Sequence, residues 1–118
     1  MELDVWISYE GYKITEWEGG DWAKDTAGDE LAEVRSPYFP LGHDAFDKVS
    51  ALYNSDKYEK GQIDEITKYV MLPKYEIIKI INELYCSLPH INIRLDELKK
   101  YVKKLPKKDY YKVVQQEF

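Results

Sequence analysis

The feature that most constrains this chain is an internal repetition in its C-terminal half. Residues 63–85 align with residues 95–118 after one inserted position, and nine of the 23 aligned pairs are identical. The first copy reads Ile63-Asp64-Glu65-Ile66-Thr67-Lys68-Tyr69-Val70-Met71, then Leu72-Pro73-Lys74. The second reads Leu95-Asp96-Glu97-Leu98-Lys99-Lys100-Tyr101-Val102-Lys103-Lys104, then Leu105-Pro106-Lys107. Asp-Glu suits the positive end of a helix dipole. Proline in the Leu-Pro step disfavours helix at the residue before it and is tolerated in the first turn of the next helix. The apolar sets Ile77/Ile80/Ile81/Leu84 and Tyr110/Val113/Val114 then read as second helices with a core-facing stripe. This predicts one helical hairpin written twice, as repeat units 62–85 and 94–118.

Upstream, periodicity changes. Leu3, Val5, Ile7 and Tyr9 alternate with Asp4, Trp6, Ser8 and Glu10, a strand pattern. Glu10-Gly11 reads as a two-residue turn leading into Tyr12, Ile14, Thr15 and Trp17. This predicts a β-hairpin over residues 3–18, pairing Ile7 with Ile14. Residues 19–42, punctuated by glycine and proline, read as a long loop with one short helix near Asp29–Val34. Asp44 is a candidate N-cap, and Phe46, Val49, Leu52 and Tyr53 follow at helical spacing until Asn54-Ser55-Asp56. Gly61 is expected to precede the next helix. The expected fold is α+β: an N-terminal β-hairpin plus a small all-α bundle of about five helices. Residues 1–42 would form the acidic hairpin and loop, and residues 43–118 the helical domain, packed as one unit.

The net charge of −5 hides a division. Residues 1–56 carry four Lys/Arg against 13 Asp/Glu, whereas residues 57–118 carry 13 against nine. Lys99, Lys100, Lys103, Lys104, Lys107, Lys108 and Lys112 lie close together in the sequence, and like charges four apart on a helix repel. Phosphates, an acidic protein, the acidic half of this chain or solvent would each relieve that repulsion. The lone Cys86 excludes an internal disulfide and fits a reducing compartment. The Met-Glu-Leu-Asp-Val-Trp start has no signal-peptide pattern and no apolar run reaches membrane length, so a cytoplasmic protein is expected, with no membrane partner.

Residues 62–84 resemble a helix-turn-helix. Thr67 stands at the small position of the first helix, Met71-Leu72 at the turn, and Ile77 and Ile80 at the inward pair. The resemblance implies a nucleic-acid-binding regulator whose second helix enters a groove. Lys74, Lys79, Lys107, Lys108 and Lys112 would then meet phosphates, with Asn82, Gln115 or Gln116 near bases. Glu76 and Glu83 offset the lysines of that helix, and Met71 replaces the glycine usual at the turn.

No catalytic signature is present, and no catalytic residue, metal site or cofactor is assigned. His43-Asp44 lacks the further ligands of a metal-dependent hydrolase, and Cys86 with His90 supplies two ligands where zinc needs four. The acidic run Asp21, Asp25, Asp29, Glu30 and Glu33 matches no cation-binding spacing. The leading expectation is a non-enzymatic binding protein that engages a basic protein partner. Trp6, Trp17, Asp21, Trp22, Asp25, Asp29, Glu30, Tyr38 and Phe39 would form the acidic, aromatic-rich surface. In composition it is similar to immunity proteins and to inhibitors of host defence carried by viruses or mobile elements. A homodimer is a further expectation.

Overall fold

The computed structural model describes residues 2–10 and 33–118. Their elements are β1 (Leu3–Glu10), β2 (Glu33–Arg35), α1 (Gly42–Asn54), β3 (Lys60–Gln62), β4 (Thr67–Leu72), α2 (Lys74–Leu84), α3 (Pro89–Lys104) and β5 (Tyr111–Glu117). The strands form one five-stranded sheet in the order β2-β1-β5-β4-β3, and each pairing is antiparallel. The class is α+β, as expected, but the arrangement within it is not: the described residues hold three helices, and two segments anticipated as helices, Thr67–Leu72 and Tyr111–Glu117, are strands.

The register sets the two faces of the sheet. Ile7 pairs with Val113, and Val113 with Val70, giving an apolar row across three strands. Val5, Leu72 and Tyr111 extend this face, and all six belong to the main core cluster. The helices cover it with Ala45 and Val49 from α1, Ile77, Ile80, Ile81 and Leu84 from α2, and Ile91, Leu95, Leu98 and Val102 from α3. Fully burying one such side chain is worth about 1.5–3 kcal/mol, so this layer dominates stability. Side chains alternate along a strand, so the neighbours of that row point the other way. The opposite face carries the rows Trp6–Val114–Tyr69 and Ser8–Lys112–Met71.

The repeated sequence therefore folds in opposite ways in its two copies. Thr67–Leu72 is strand while most of its counterpart in the second copy lies in α3, and Lys74–Leu84 is helix while the larger part of its counterpart lies in β5. The helical-hairpin duplication is overturned, and with it the helix-turn-helix, because residues 62–84 supply one helix preceded by a strand. Thr67 is buried on β4 and its Oγ1 accepts a 3.1 Å hydrogen bond from Gln116 Nε2. Met71 and Leu72 are strand residues rather than a turn. Ile77 and Ile80 do point inward. Two causes separate the copies. Thr67, Tyr69 and Val70 favour an extended backbone, whereas Leu98-Lys99-Lys100 favours helix. Val113 and Val114 are both buried on opposite faces, so β5 lacks the polar alternation that marks a strand covered on one side. Asp96-Glu97, read as the start of a helix, lies inside α3, which begins earlier with Pro89 in its first turn.

The anticipated N-terminal hairpin is also corrected. Leu3–Ser8 pairs with β5 along one edge. Along the other, Ser8–Glu10 pairs with β2, and the Ser36 and Phe39 amides donate to the Ile7 and Val5 carbonyls at 2.9 Å. Both edges of β1 are thus taken by segments other than the one read as its partner; residues 12–17 lie outside the described residues. Glu33 and Val34 belong to β2 instead of a short helix, and Gly61 lies in β3.

Helix α1 begins two residues before Asp44, which sits in its first turn; the N-cap is Leu41. Leu41 adopts a left-handed backbone at φ 55°, which costs a branched residue about 1–2 kcal/mol. Its side chain packs against the core and its carbonyl accepts from Ala45 N at 2.9 Å, which offsets the strain.

Candidate functional site

The α3–β5 connection organises the lysine-rich end of the molecule. Tyr111 is buried, and its hydroxyl donates to the Pro106 carbonyl at 2.7 Å while accepting the Lys108 amide at 3.1 Å. Lys74 reaches across from the start of α2 to the Leu105 carbonyl at 3.5 Å and lies 5.6 Å from the Tyr111 ring. Lys103 and Lys104 occupy the last turn of α3, where a helix dipole favours cations.

A cavity of about 320 Å³ opens at this end, on the face of the sheet turned away from the helices. Ser8, Lys112 and Met71 are its cross-strand row, and Glu59, Tyr69, Lys108, Tyr110 and Tyr111 complete the described lining. Lys112 Nζ lies 4.8 Å from the centre of the Tyr69 ring. Ser8 is 5% exposed, and its Oγ has no hydrogen-bond partner among the described residues. A buried hydroxyl left unpaired costs about 1–3 kcal/mol, so the position calls for an explanation.

A shallow groove on the outside of α2 is lined by Lys74, Tyr75, Ile78, Lys79, Asn82 and Glu83. Several of these side chains are engaged by neighbouring elements. Lys48 pairs with Glu83 at 3.0 Å, and Lys99 donates to Asn82 Oδ1 at 2.6 Å. At the start of α2, the Tyr58 hydroxyl lies 3.2 Å from that of Tyr75 and donates to the buried Glu76 carboxylate at 3.0 Å. The bond with Tyr75, then burial and Glu76, push the Tyr58 phenol well above its ordinary range. Between α2 and α3, the Tyr85 hydroxyl donates to Asp96, which raises the phenol to about 12. Asn92 clamps the same connection by bonding both the amide and the carbonyl of Cys86, at 3.0 and 2.7 Å.

The expected protein-binding set is divided by the fold. Trp6 and Phe39 are 1% and 3% exposed and belong to the interior, so they do not present a surface. Arg35 stacks over Trp6 at 4.4 Å, and the Tyr38 ring lies 5.4 Å away. Tyr38 is at the surface. Trp17, Asp21, Trp22, Asp25, Asp29 and Glu30 lie outside the described residues. Of the expected phosphate-binding set, Lys74, Lys79 and Asn82 line the α2 groove, Lys108 and Lys112 line the cavity, and Lys107 is exposed on the connecting loop. Gln115 is fully buried and Gln116 bonds Thr67, so neither is presented as a base reader. Ser8, Glu59, Tyr69, Met71 and Tyr110 were not read from the sequence as site residues; Met71 was placed at a turn, and Tyr110, expected on a core-facing helical stripe, is 51% exposed. The strand alternation Tyr110–Lys112–Val114 would have placed Tyr110 and Lys112 together, had β5 been recognisable as a strand.

Among the described residues, no group of three or more His, Cys, Asp or Glu side chains is placed to hold a metal ion, and no helix is long and apolar enough to cross a membrane. Cys86 is exposed. No protein-family model, curated protein or solved structure matches the chain.

Proposed function

We propose that this is a non-enzymatic binding protein, of inhibitor or immunity type, that engages a basic protein partner through the acidic, aromatic segment between β1 and β2. The observation that carries this reading is how that segment is attached. Glu10 and Glu33 are directly paired across β1 and β2, so residues 11–32 leave and re-enter the sheet at adjacent positions. No other connection between described elements exceeds six residues. This one holds Trp17 and Trp22 with Glu16, Glu18, Asp21, Asp25, Asp29 and Glu30 against only Lys13 and Lys24. Clustered carboxylates steer encounter with a cationic surface, and tryptophans supply anchoring area.

The test is cross-linking of the tagged full chain in extract of its native host, followed by reconstitution with the purified partner. The expected result is one stoichiometric basic partner, bound more weakly as salt rises. Combined substitution Asp21→Asn, Asp25→Asn, Asp29→Asn and Glu30→Gln is expected to abolish binding with the circular dichroism spectrum unchanged. Equal binding by that variant, or no stoichiometric partner, overturns the reading.

A second reading, nucleic-acid binding, is favoured by one observation: Lys74, Lys79, Lys108 and Lys112 line two openings on the described framework. It no longer relies on a helix-turn-helix. Retention on duplex DNA that falls steeply across a salt series would support it, and no retention at low salt would remove it.

A further inference from the structure

The outward side of α2 carries an inference separate from the segment between β1 and β2. Helix α2 lies between the other two helices: Lys48 of α1 reaches Glu83, and Lys99 of α3 reaches Asn82. Its groove is bounded by two rows at i, i+4 spacing, Lys74–Ile78–Asn82 and Tyr75–Lys79–Glu83. Two such rows frame the channel into which a ridge of another helix packs. The floor is apolar: the Tyr75 ring is 65% exposed beside the partly buried Ile78. The charge around it is one-sided. The Glu83 carboxylate is closed by Lys48 at 3.0 Å, and the buried Glu76 accepts from the Tyr58 hydroxyl. Lys79 is exposed and takes part in no hydrogen bond, ion pair or ring contact among the described residues. The same holds for Lys103. Lys103 stands one turn beyond Lys99 on α3, between the points where Lys99 meets Asn82 and Lys74 meets the Leu105 carbonyl, so it borders the groove.

We infer that this groove docks an acidic amphipathic helix of a partner protein. Apolar side chains of that helix pack on Tyr75 and Ile78, and its carboxylates meet Lys79 and Lys103. An apolar floor flanked by unneutralised cations matches both faces of such a helix. A nucleic-acid backbone would use the lysines and leave the floor uncovered, so the acidic helix is the better fit. This surface is distinct from the acidic segment, and its partner has the opposite charge.

The experiment is an amide NMR titration of the full chain with a synthetic helix of about 18 residues, leucine at its a and d heptad positions and glutamate with alanine elsewhere. Saturable perturbation centred on Tyr75, Ile78, Lys79 and Asn82 is expected. A scrambled peptide of the same composition should bind about tenfold more weakly. Combined Lys79→Glu and Lys103→Glu is expected to weaken binding about tenfold, and Tyr75→Ala several-fold, each with an unchanged far-ultraviolet circular dichroism spectrum. Combined Lys100→Glu and Lys104→Glu, the same change of charge on the neighbouring row of α3, should weaken it about twofold or less. Equal binding of the scrambled peptide, or an equal loss in the two lysine pairs, reduces the effect to bulk charge and overturns the groove. Tighter binding of a short DNA duplex at the same amides assigns the lysines to phosphates and overturns the proposal. Concentration-dependent shifts of those amides in the chain alone assign the groove to a second copy and also overturn it. No saturable perturbation at about 1 mM peptide overturns the site outright.

Discussion

Gln115 Nε2 donates a 2.7 Å hydrogen bond to Ser50 Oγ, joining the central strand β5 to α1 from inside the helix-facing layer. The same nitrogen donates to the Phe46 carbonyl at 3.0 Å, and Gln115 is fully buried. A polar side chain in this position fixes where α1 sits on the sheet, because its donors are satisfied only when Phe46 and Ser50 face β5. Gln115→Ala removes those bonds and leaves a void, so a loss of about 2–4 kcal/mol is expected in urea unfolding. Ser50→Ala is expected to cost about 1 kcal/mol. In a double-mutant cycle the two should be strongly non-additive, and simple additivity would show that the bond contributes nothing.

A second dependence of α1 on the sheet runs through backbone. Gly42, the first residue of α1, packs so closely on β1 that an added Cβ would collide with the Leu3 carbonyl oxygen. The obstruction is main chain in a paired strand and has little room to yield. Gly42→Ala is therefore expected to destabilise by about 1–3 kcal/mol, although alanine is the better helix former. The denaturation midpoint measures this, and a neutral or stabilising result would mean that α1 can shift away from β1.

These two contacts show what the sequence made legible and what it did not. The helix around Phe46, Val49, Leu52 and Tyr53 was readable because its apolar stripe has helical period and Asn54-Ser55-Asp56 ends it. Strand β1 was readable from its alternation. Its neighbours were not, because pairing with β5 joins the two ends of the chain and no local pattern encodes so distant a partner. The β4 and β5 segments misled for a different reason. Ile63, Ile66 and Val70 recur at helical spacing, yet Ile63 and Ile66 are exposed and only Thr67–Leu72 forms the strand. Of the candidate site, Lys108 and Lys112 were visible as charge. Ser8 and Tyr69 acquire meaning only once β1, β5 and β4 are aligned.

The connection between α2 and α3 carries a pH dependence. The Tyr85 phenol donates to Asp96, and this raises it from 10.0 to about 12. A group raised on folding contributes stability that is fully present below its unfolded value and is lost as pH rises through its folded value. The contribution of Tyr85 should therefore be complete below pH 10.0 and vanish toward about pH 12. For a bond this close to solvent it should be modest, about 0.5–1 kcal/mol. Comparing chemical denaturation of the wild type and Tyr85→Phe isolates it. The two should differ at neutral pH and converge above the folded value; a difference independent of pH would place the effect in packing instead.

Gly61 connects the edge of the sheet to the candidate cavity. It pairs with Tyr69, and an added Cβ would fall 2.6 Å from the Tyr69 ring and hydroxyl. Here the obstruction is the far end of a side chain, which can swing, so the fold should tolerate Gly61→Ala with a loss of about 1 kcal/mol or less. The ring has to move, however, and Lys112 Nζ lies over it at 4.8 Å. Gly61→Ala should thus alter the tyrosine near-ultraviolet circular dichroism and the Lys112 side-chain NMR signals while leaving the far-ultraviolet spectrum intact. Because Tyr69 and Lys112 both line the cavity, the substitution should also reshape it without touching a charged group. Unchanged Lys112 signals would show that Tyr69 yields without carrying the lysine, separating the edge of the sheet from the cavity.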